Sequence, residues 1–124
     1  MGSVLIVDDE PMVAEVLSAM LSSYGHRVLS RTKPSEALED LHARYDLYLF
    51  DLRMPDPNGA DLTEAVLQKH PDARVLIMTG FPGDPLAARA LQAGAVALVK
   101  KPFEIGKILA HFPVPSPQSP AGNQ

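Results

Sequence analysis

Four short runs of consecutive apolar residues punctuate the chain: Val4-Leu5-Ile6-Val7, Leu47-Tyr48-Leu49-Phe50, Val75-Leu76-Ile77-Met78 and Val96-Ala97-Leu98-Val99. None alternates with polar residues. An unbroken apolar run of strand length suits a strand covered on both faces, as in a parallel sheet. Arg27-Val28-Leu29-Ser30 is half polar and suits a strand at a sheet edge. Between the runs the apolar spacing becomes helical. Val13, Val16, Leu17, Met20 and Leu21 fall on one helical face after the first run. Pro11 stands where a first-turn proline is tolerated, and Tyr24-Gly25 supplies a C-terminal stop. A second helix is predicted from Pro34 to Arg44, burying Ala37, Leu38 and Leu41. A third starts after Asn58-Gly59, buries Leu62, Ala65 and Val66, and stops before Pro71. A fourth spans Pro85 to Ala93 and closes on Gly94. A fifth covers Glu104 to His111, with Ile105, Ile108 and Leu109 inward.

Strand and helix thus alternate five times. With short connections, this pattern predicts an α/β fold, a parallel sheet with helices on both faces. The chain has 124 residues, 46% of them hydrophobic, which suits one domain around one sheet. From Phe112 the composition shifts: Pro113, Pro115, Pro117 and Pro120 are interleaved with Ser, Gln, Gly and Asn. The reading is a folded domain over 1–112 and a Pro/Ser-rich disordered tail over 113–124. The absence of cysteine excludes a disulfide scaffold, a thiolate metal site and a cysteine nucleophile. A net charge of -4 argues against a nucleic-acid or anionic-membrane surface as the main partner. No apolar run is long enough to cross a bilayer, and the start lacks the features of a signal peptide.

In an open α/β sheet the functional crevice lies beyond the carboxyl ends of the strands. The residues that follow each apolar run are therefore the informative ones. Asp8, Asp9 and Glu10 follow the first, Asp51 the second, Thr79-Gly80 the third and Lys100-Lys101-Pro102 the fourth. Crowded carboxylates repel unless a cation sits among them. Oxygen-only donors point to a hard ion, Mg²⁺ before Zn²⁺. A lysine and a hydroxyl facing that ion are suitable ligands for a phosphoryl group. No serine, cysteine or histidine nucleophile lies on this edge, whereas Asp51 can itself attack phosphorus and form an aspartyl phosphate. Asp8, Asp9 and Asp51 bring three negative charges; Mg²⁺ and Lys101 would balance them.

These residues carry a resemblance. Val7-Asp8-Asp9-Glu10-Pro11, then Asp51-Leu52-Arg53-Met54-Pro55 with Asn58-Gly59, then Met78-Thr79-Gly80, then Gly94-Ala95 and Lys101-Pro102-Phe103 occur in order at the predicted strand ends. The chain resembles the CheY-like receiver domains of two-component response regulators over residues 3 to 112. The resemblance implies a flavodoxin-like, doubly wound (βα)5 fold with a five-stranded parallel sheet in the order 2-1-3-4-5. It implies that Asp51 accepts a phosphoryl group from a histidine kinase or histidine phosphotransfer protein. Mg²⁺ would be ligated by Asp9, Asp51 and the backbone carbonyl of Arg53, with Asp8 acting through water. Lys101 would pair with the phosphate, and Thr79 would hydrogen-bond it and move on activation. The Lys101-Pro102 bond is expected to be cis. The resemblance also implies a cytoplasmic signalling domain rather than an enzyme, with no direct nucleic-acid or membrane contact. The expected context is a receiver that ends its chain, stand-alone or at the end of a hybrid histidine kinase. In the latter case the parent chain would be a histidine kinase.

One position departs from the family. Leu98 stands where an aromatic switch residue, Tyr or Phe, is usual, which puts the Thr79–aromatic coupling in question. Phe81 and Arg53, each two residues past a motif residue, occupy positions that in the family influence acyl phosphate hydrolysis. Met12 lies on the first helix, which in the family docks the phosphodonor.

Plainer readings exist for each residue. Acids after the first run could only cap a helix, and Lys101 could be solvated surface. Their joint arrival at one sheet edge is not explained that way. His26, His42, His70 and His111 fall away from the crevice without metal-ligand spacing and read as structural. A dinucleotide enzyme would need G-x-G-x-x-G where Asp8-Asp9-Glu10-Pro11 stands. An aspartyl-nucleophile phosphatase would place a second acid at position 53, which is Arg. A pseudo-receiver, binding partners without phosphorylation, would normally lack Asp9, Asp51 or Lys101.

Overall fold

The computed structural model describes residues 2–112. The stretch 113–124, for which the sequence predicts a disordered tail, lies outside the described residues. Ten elements alternate: β1 (Ser3–Val7), α1 (Pro11–Ser23), β2 (Arg27–Arg31), α2 (Pro34–Asp40), β3 (Leu47–Asp51), α3 (Gly59–Lys69), β4 (Val75–Thr79), α4 (Pro85–Ala93), β5 (Ala97–Lys100) and α5 (Ile105–Leu109). The strands form one parallel sheet in the order β2-β1-β3-β4-β5. This is the predicted order, with the half-polar strand at an edge.

The continuous apolar runs resolve into two faces because strand side chains alternate. Leu5, Val7, Tyr48, Phe50, Val75 and Ile77 point to one layer, where Ala37, Leu62, Val66, Ala87 and Ala90 from α2, α3 and α4 cover them. Val4, Ile6, Leu47, Leu49, Leu76 and Met78 point to the other, under Leu17 and Leu21 of α1 and Ile108 of α5. The central strands β3 and β4 are buried along their whole length, as both-face coverage requires.

The helices start where their signals stand. Pro11, Pro34 and Pro85 each occupy the first turn. At α3, the Asp61 amide donates to Asn58 Oδ1 at 2.9 Å and the Asn58 amide donates to Asp61 Oδ2 at 3.1 Å. This reciprocal box satisfies two amide donors that a helix start otherwise leaves free. Asn58→Ala should therefore lower the unfolding free energy by about 1 kcal/mol, while Asn58→Ser keeps most of it. Denaturant midpoints at constant slope give the comparison; equal midpoints for Ala and Ser would refute the cap.

Three details differ from the sequence expectations. The second helix ends at Asp40, four residues before Arg44. The Tyr48 hydroxyl accepts from the Tyr45 amide at 3.0 Å and donates to the Ala43 carbonyl at 3.3 Å, which turns the chain toward β3 instead. Leu38 on α2 and Val16 on α1 are exposed rather than inward. On α1 the buried line runs Ala14, Leu17, Leu21, rotating the face away from Val16. The last helix is shorter than predicted, with Glu104 and Ala110 as its flanking residues. The histidines stay structural where they are in contact: His26 stacks on Phe112 with ring centroids 3.8 Å apart, and His70 Nε2 lies 3.1 Å from the Leu41 carbonyl.

Candidate functional site

Strand register brings the chemistry together. Val7 pairs with Phe50 on neighbouring strands, so the next residues, Asp8 and Asp51, stand side by side at the carboxyl edge. Asp51 pairs with Met78, which places Thr79 one step further. Thr79 pairs with Lys100, and its carbonyl accepts from the Lys101 amide at 2.8 Å. Four of the residues singled out in the sequence thus lie along four adjacent strand ends.

Lys101 crosses this edge. Its Nζ lies 3.0 Å from Asp8 Oδ2, 3.1 Å from Asp51 Oδ1 and 3.3 Å from Glu10 Oε1. Carboxylate oxygens of Asp8, Asp9 and Asp51 all fall within 4.8 Å of one another. Asp8 is fully buried and Asp51 nearly so, while Asp9 faces the opening. Asp8 is also held in place by the Glu10 amide, which donates to its Oδ1 at 2.9 Å. The Lys101-Pro102 and Asp56-Pro57 bonds are cis.

The electrostatics follow from burial. Asp51 is pushed up to about 7, first by desolvation and then by the Asp8 and Asp9 charges, with Lys101 opposing. Burial pulls the Lys101 ammonium down, but its bonds to Asp8 and Asp51 outweigh this and raise it overall. One ammonium does not compensate three converging carboxyls, so the all-oxygen donor set fits a divalent hard cation.

The surrounding loops are tightly defined. The Gly59 amide donates to the Leu52 carbonyl at 3.0 Å, and a methyl group at Gly59 would lie 2.5 Å from the Asp51 carbonyl oxygen. The start of α3 therefore rests directly on the backbone at the end of β3. Thr79 is buried, and its hydroxyl accepts from the Phe81 amide at 3.0 Å while donating to the Phe81 carbonyl at 3.2 Å. Phe81 itself is exposed beside the crevice, as is Met12 on the first turn of α1. Leu98 lies opposite Ile77 on β5, half-buried against the larger core layer. The Arg53 side chain points to the next loop, where Nε and Nη2 each donate to Asp84 at 2.7 Å. Asp84 also caps α4, accepting from the Leu86 amide at 2.9 Å.

Asp84 and Gly59 are the residues that sequence reasoning left without a role at the site. Asp84 before Pro85 is a legible helix cap, but no local signal announces its partner 31 residues away. Glu10, read only as part of an acidic run, proves to be the third carboxylate on Lys101.

Comparison with known proteins agrees with this geometry. Residues 4–112 match the response regulator receiver domain family. The chain is 37% identical over 105 residues to the response regulator protein PilR of Pseudomonas aeruginosa, covering 84% of this chain and 24% of that protein. It thus spans about a quarter of the length of the curated relatives it matches. Among solved structures, a response regulator from Burkholderia pseudomallei with a phosphorylated aspartic acid and a calcium ion superposes with a TM-score of 0.82. The identity is 28%, over 91% of this chain and 67% of that one. The receiver domain of a sensor histidine kinase from Pseudomonas aeruginosa PAO1, with magnesium in its active site cleft, gives 0.79 at 27% identity. That alignment covers 88% of this chain and 92% of the other. With the family motifs at four strand ends and a match over nearly the whole described fold, the chain belongs to the response regulator receiver domain family.

Proposed function

We propose that Asp51 is the phospho-acceptor of a two-component phosphorelay, taking a phosphoryl group from the phosphohistidine of a histidine kinase or phosphotransfer protein. The observation that carries this reading is Lys101 Nζ at 3.0 and 3.1 Å from Asp8 and Asp51, inside a cluster of three carboxylates. A carboxylate lone pair of Asp51 forms the new bond to phosphorus. The bond from phosphorus to the donor nitrogen breaks, its electron pair returns to the imidazole, and that nitrogen recovers a proton from solvent. Lys101 is placed to neutralise phosphoryl oxygens as they arrive, and Thr79 can donate to one of them by giving up its bond to the Phe81 carbonyl. Asp9, Asp51 and the Arg53 carbonyl would hold Mg²⁺, with Asp8 acting through a water. When bound, Mg²⁺ supplies the charge that offsets the carboxylates and the transferred group.

Exposed Met12 and Phe81 flank the crevice and give a donor helix an apolar rim to rest on. Downstream, loss of the Thr79–Phe81 contacts would bias the loop from Gly80 to Asp84 and the helix it leads into, a population shift driven by added charge. The face made by α4, β5 and α5 is the proposed output surface for a protein partner. The test is incubation with Mg²⁺ and a small phosphodonor, followed by intact mass and mapping of the modified peptide. One added phosphoryl group on the peptide carrying Asp51 is expected. No gain in mass, or modification elsewhere, would overturn the assignment and leave a binding module.

A further inference from the structure

The amino-terminal edge of the sheet, opposite the acidic crevice, carries a groove of about 590 Å³ between α3 and α4. That size suits a few residues of chain. Leu67, Pro71, Ala73, Ala93, Gly94 and Val96 form its apolar lining, with Asp72 and Arg74 as its charged members. Both charges are already engaged. Arg44 Nη1 donates to Asp72 at 2.7 Å, and Arg74 Nη1 donates to the His111 carbonyl at 3.1 Å. The surface left for an occupant is therefore apolar, and Val96 within it is half exposed.

Arg74 also marks where the chain leaves. It lines the groove and holds the carbonyl just before Phe112, where the described residues end. Phe112 is buried and stacked on His26, so this exit is fixed beside the groove. The stretch 113–124 contains four prolines, one valine and no charged residue. An uncharged segment gives up no ionic hydration on entering an apolar groove. The trough on the other side of Arg74, lined by Arg44, Tyr45 and Asp46, is a poorer match for it. Proline fixes φ in advance, which lowers the cost of ordering the segment. At ~3.1 Å per residue, the chain from Pro113 to Pro117 reaches about 15 Å from its exit. The tether also makes the encounter intramolecular, with an effective concentration on the order of millimolar, so even a weak contact is populated.

We propose that Pro113-Val114-Pro115-Ser116-Pro117 folds back into this groove, with Val114 seated against Leu67 and Val96. The amino-terminal edge is thereby a docking site for the chain's own proline-rich stretch, at the pole opposite Asp51.

The chain has no cysteine, so Ser116→Cys gives a single site for a nitroxide label on the full chain. With the label oxidised, the amide signals of Leu67, Ala73, Gly94 and Val96 should lose about half their intensity or more relative to the reduced label, because a mostly docked segment keeps the label close. Those of Met12 and Phe81, at the opposite pole, should keep theirs. Adding Val114→Asp should restore the groove signals, since the new carboxylate would be buried without a partner. Val114→Ile should leave them broadened. Both substitutions lie outside the described fold, so neither removes a core contact. Broadening spread evenly over the surface, or gathered on another face, would overturn the proposal. So would groove broadening that persists in Val114→Asp. Labelled chain mixed with an isotope-enriched, unlabelled chain gives the last comparison: groove broadening on the unlabelled chain would make a second copy the occupant and overturn the fold-back.

Discussion

Asp51→Asn is expected to take up no phosphate and yet to be the more stable protein in the presence of a chelator. The two effects have one origin. In the folded chain the Asp51 carboxyl is pushed from 3.8 to about 7 by burial beside Asp8. The folded state therefore binds that proton more tightly than the unfolded chain does. Stability from this group is greatest below about pH 4, falls as pH rises toward 7, and is flat above it. The loss over that range is on the order of a few kcal/mol. Asn does not titrate, so the variant should lack the slope and melt several degrees higher at pH 8 without divalent ions. Adding Mg²⁺ should raise the wild-type melting temperature through binding to the folded state alone, and raise the variant's much less. Thermal melts of both proteins from pH 4 to 8, with chelator and with Mg²⁺, give the comparison. A wild type that equals or exceeds the variant in chelator at pH 8 would mean that the acidic cluster is already satisfied by Lys101.

The clustering of polar residues at the carboxyl edge is legible in the sequence because of how parallel sheets are built. Unbroken apolar runs mark strands buried on both faces, and the residue after each run must then stand at the carboxyl edge. That logic places Asp8, Asp51, Thr79 and Lys101 along one row, and the strand register sets them on adjacent strand ends. Local patterns failed where a distant group decides the outcome. Nothing between Leu41 and Arg44 opposes a helix, yet the hydroxyl of Tyr48 from the next strand ends it. Periodicity selected Val16 and Leu38 as apolar face positions but could not say how wide the covered stripe is, and both are exposed. The Arg53–Asp84 fork escaped for the same reason: it joins two loops that only the folded sheet makes neighbours.

Gly59→Ala tests how closely α3 is seated on β3, and here two effects of opposite sign compete. In an open helix, replacing glycine by alanine stabilises by about 1 kcal/mol. At Gly59 the added methyl would meet the Asp51 carbonyl oxygen at 2.5 Å, the Leu52 Cα at 2.9 Å and the Asp51 carbonyl carbon at 3.1 Å. All three are backbone atoms, so no rotamer change relieves the contact. Nor can Gly59 step back freely: its amide donates to the Leu52 carbonyl, and its own carbonyl accepts from Thr63 Oγ1 at 2.8 Å. Overpacking of this kind costs typically 1–3 kcal/mol, and a clash with backbone falls at the upper end, so a net loss of about 2 kcal/mol is expected. Gly59→Val should lose more. Gly80→Ala and Gly83→Ala, where no atom lies within 4 Å of an added methyl, should change stability little. The larger consequence falls on phosphate uptake. Any relaxation must shift Asp51 or Leu52, and misplacing a reacting carboxylate by about 1 Å can cost on the order of a hundredfold in rate. Gly59→Ala should therefore phosphorylate far more slowly than wild type even well below its melting temperature. If its rate matches wild type, the helix start does not position Asp51, and α3 is seated more loosely than the contact distances require.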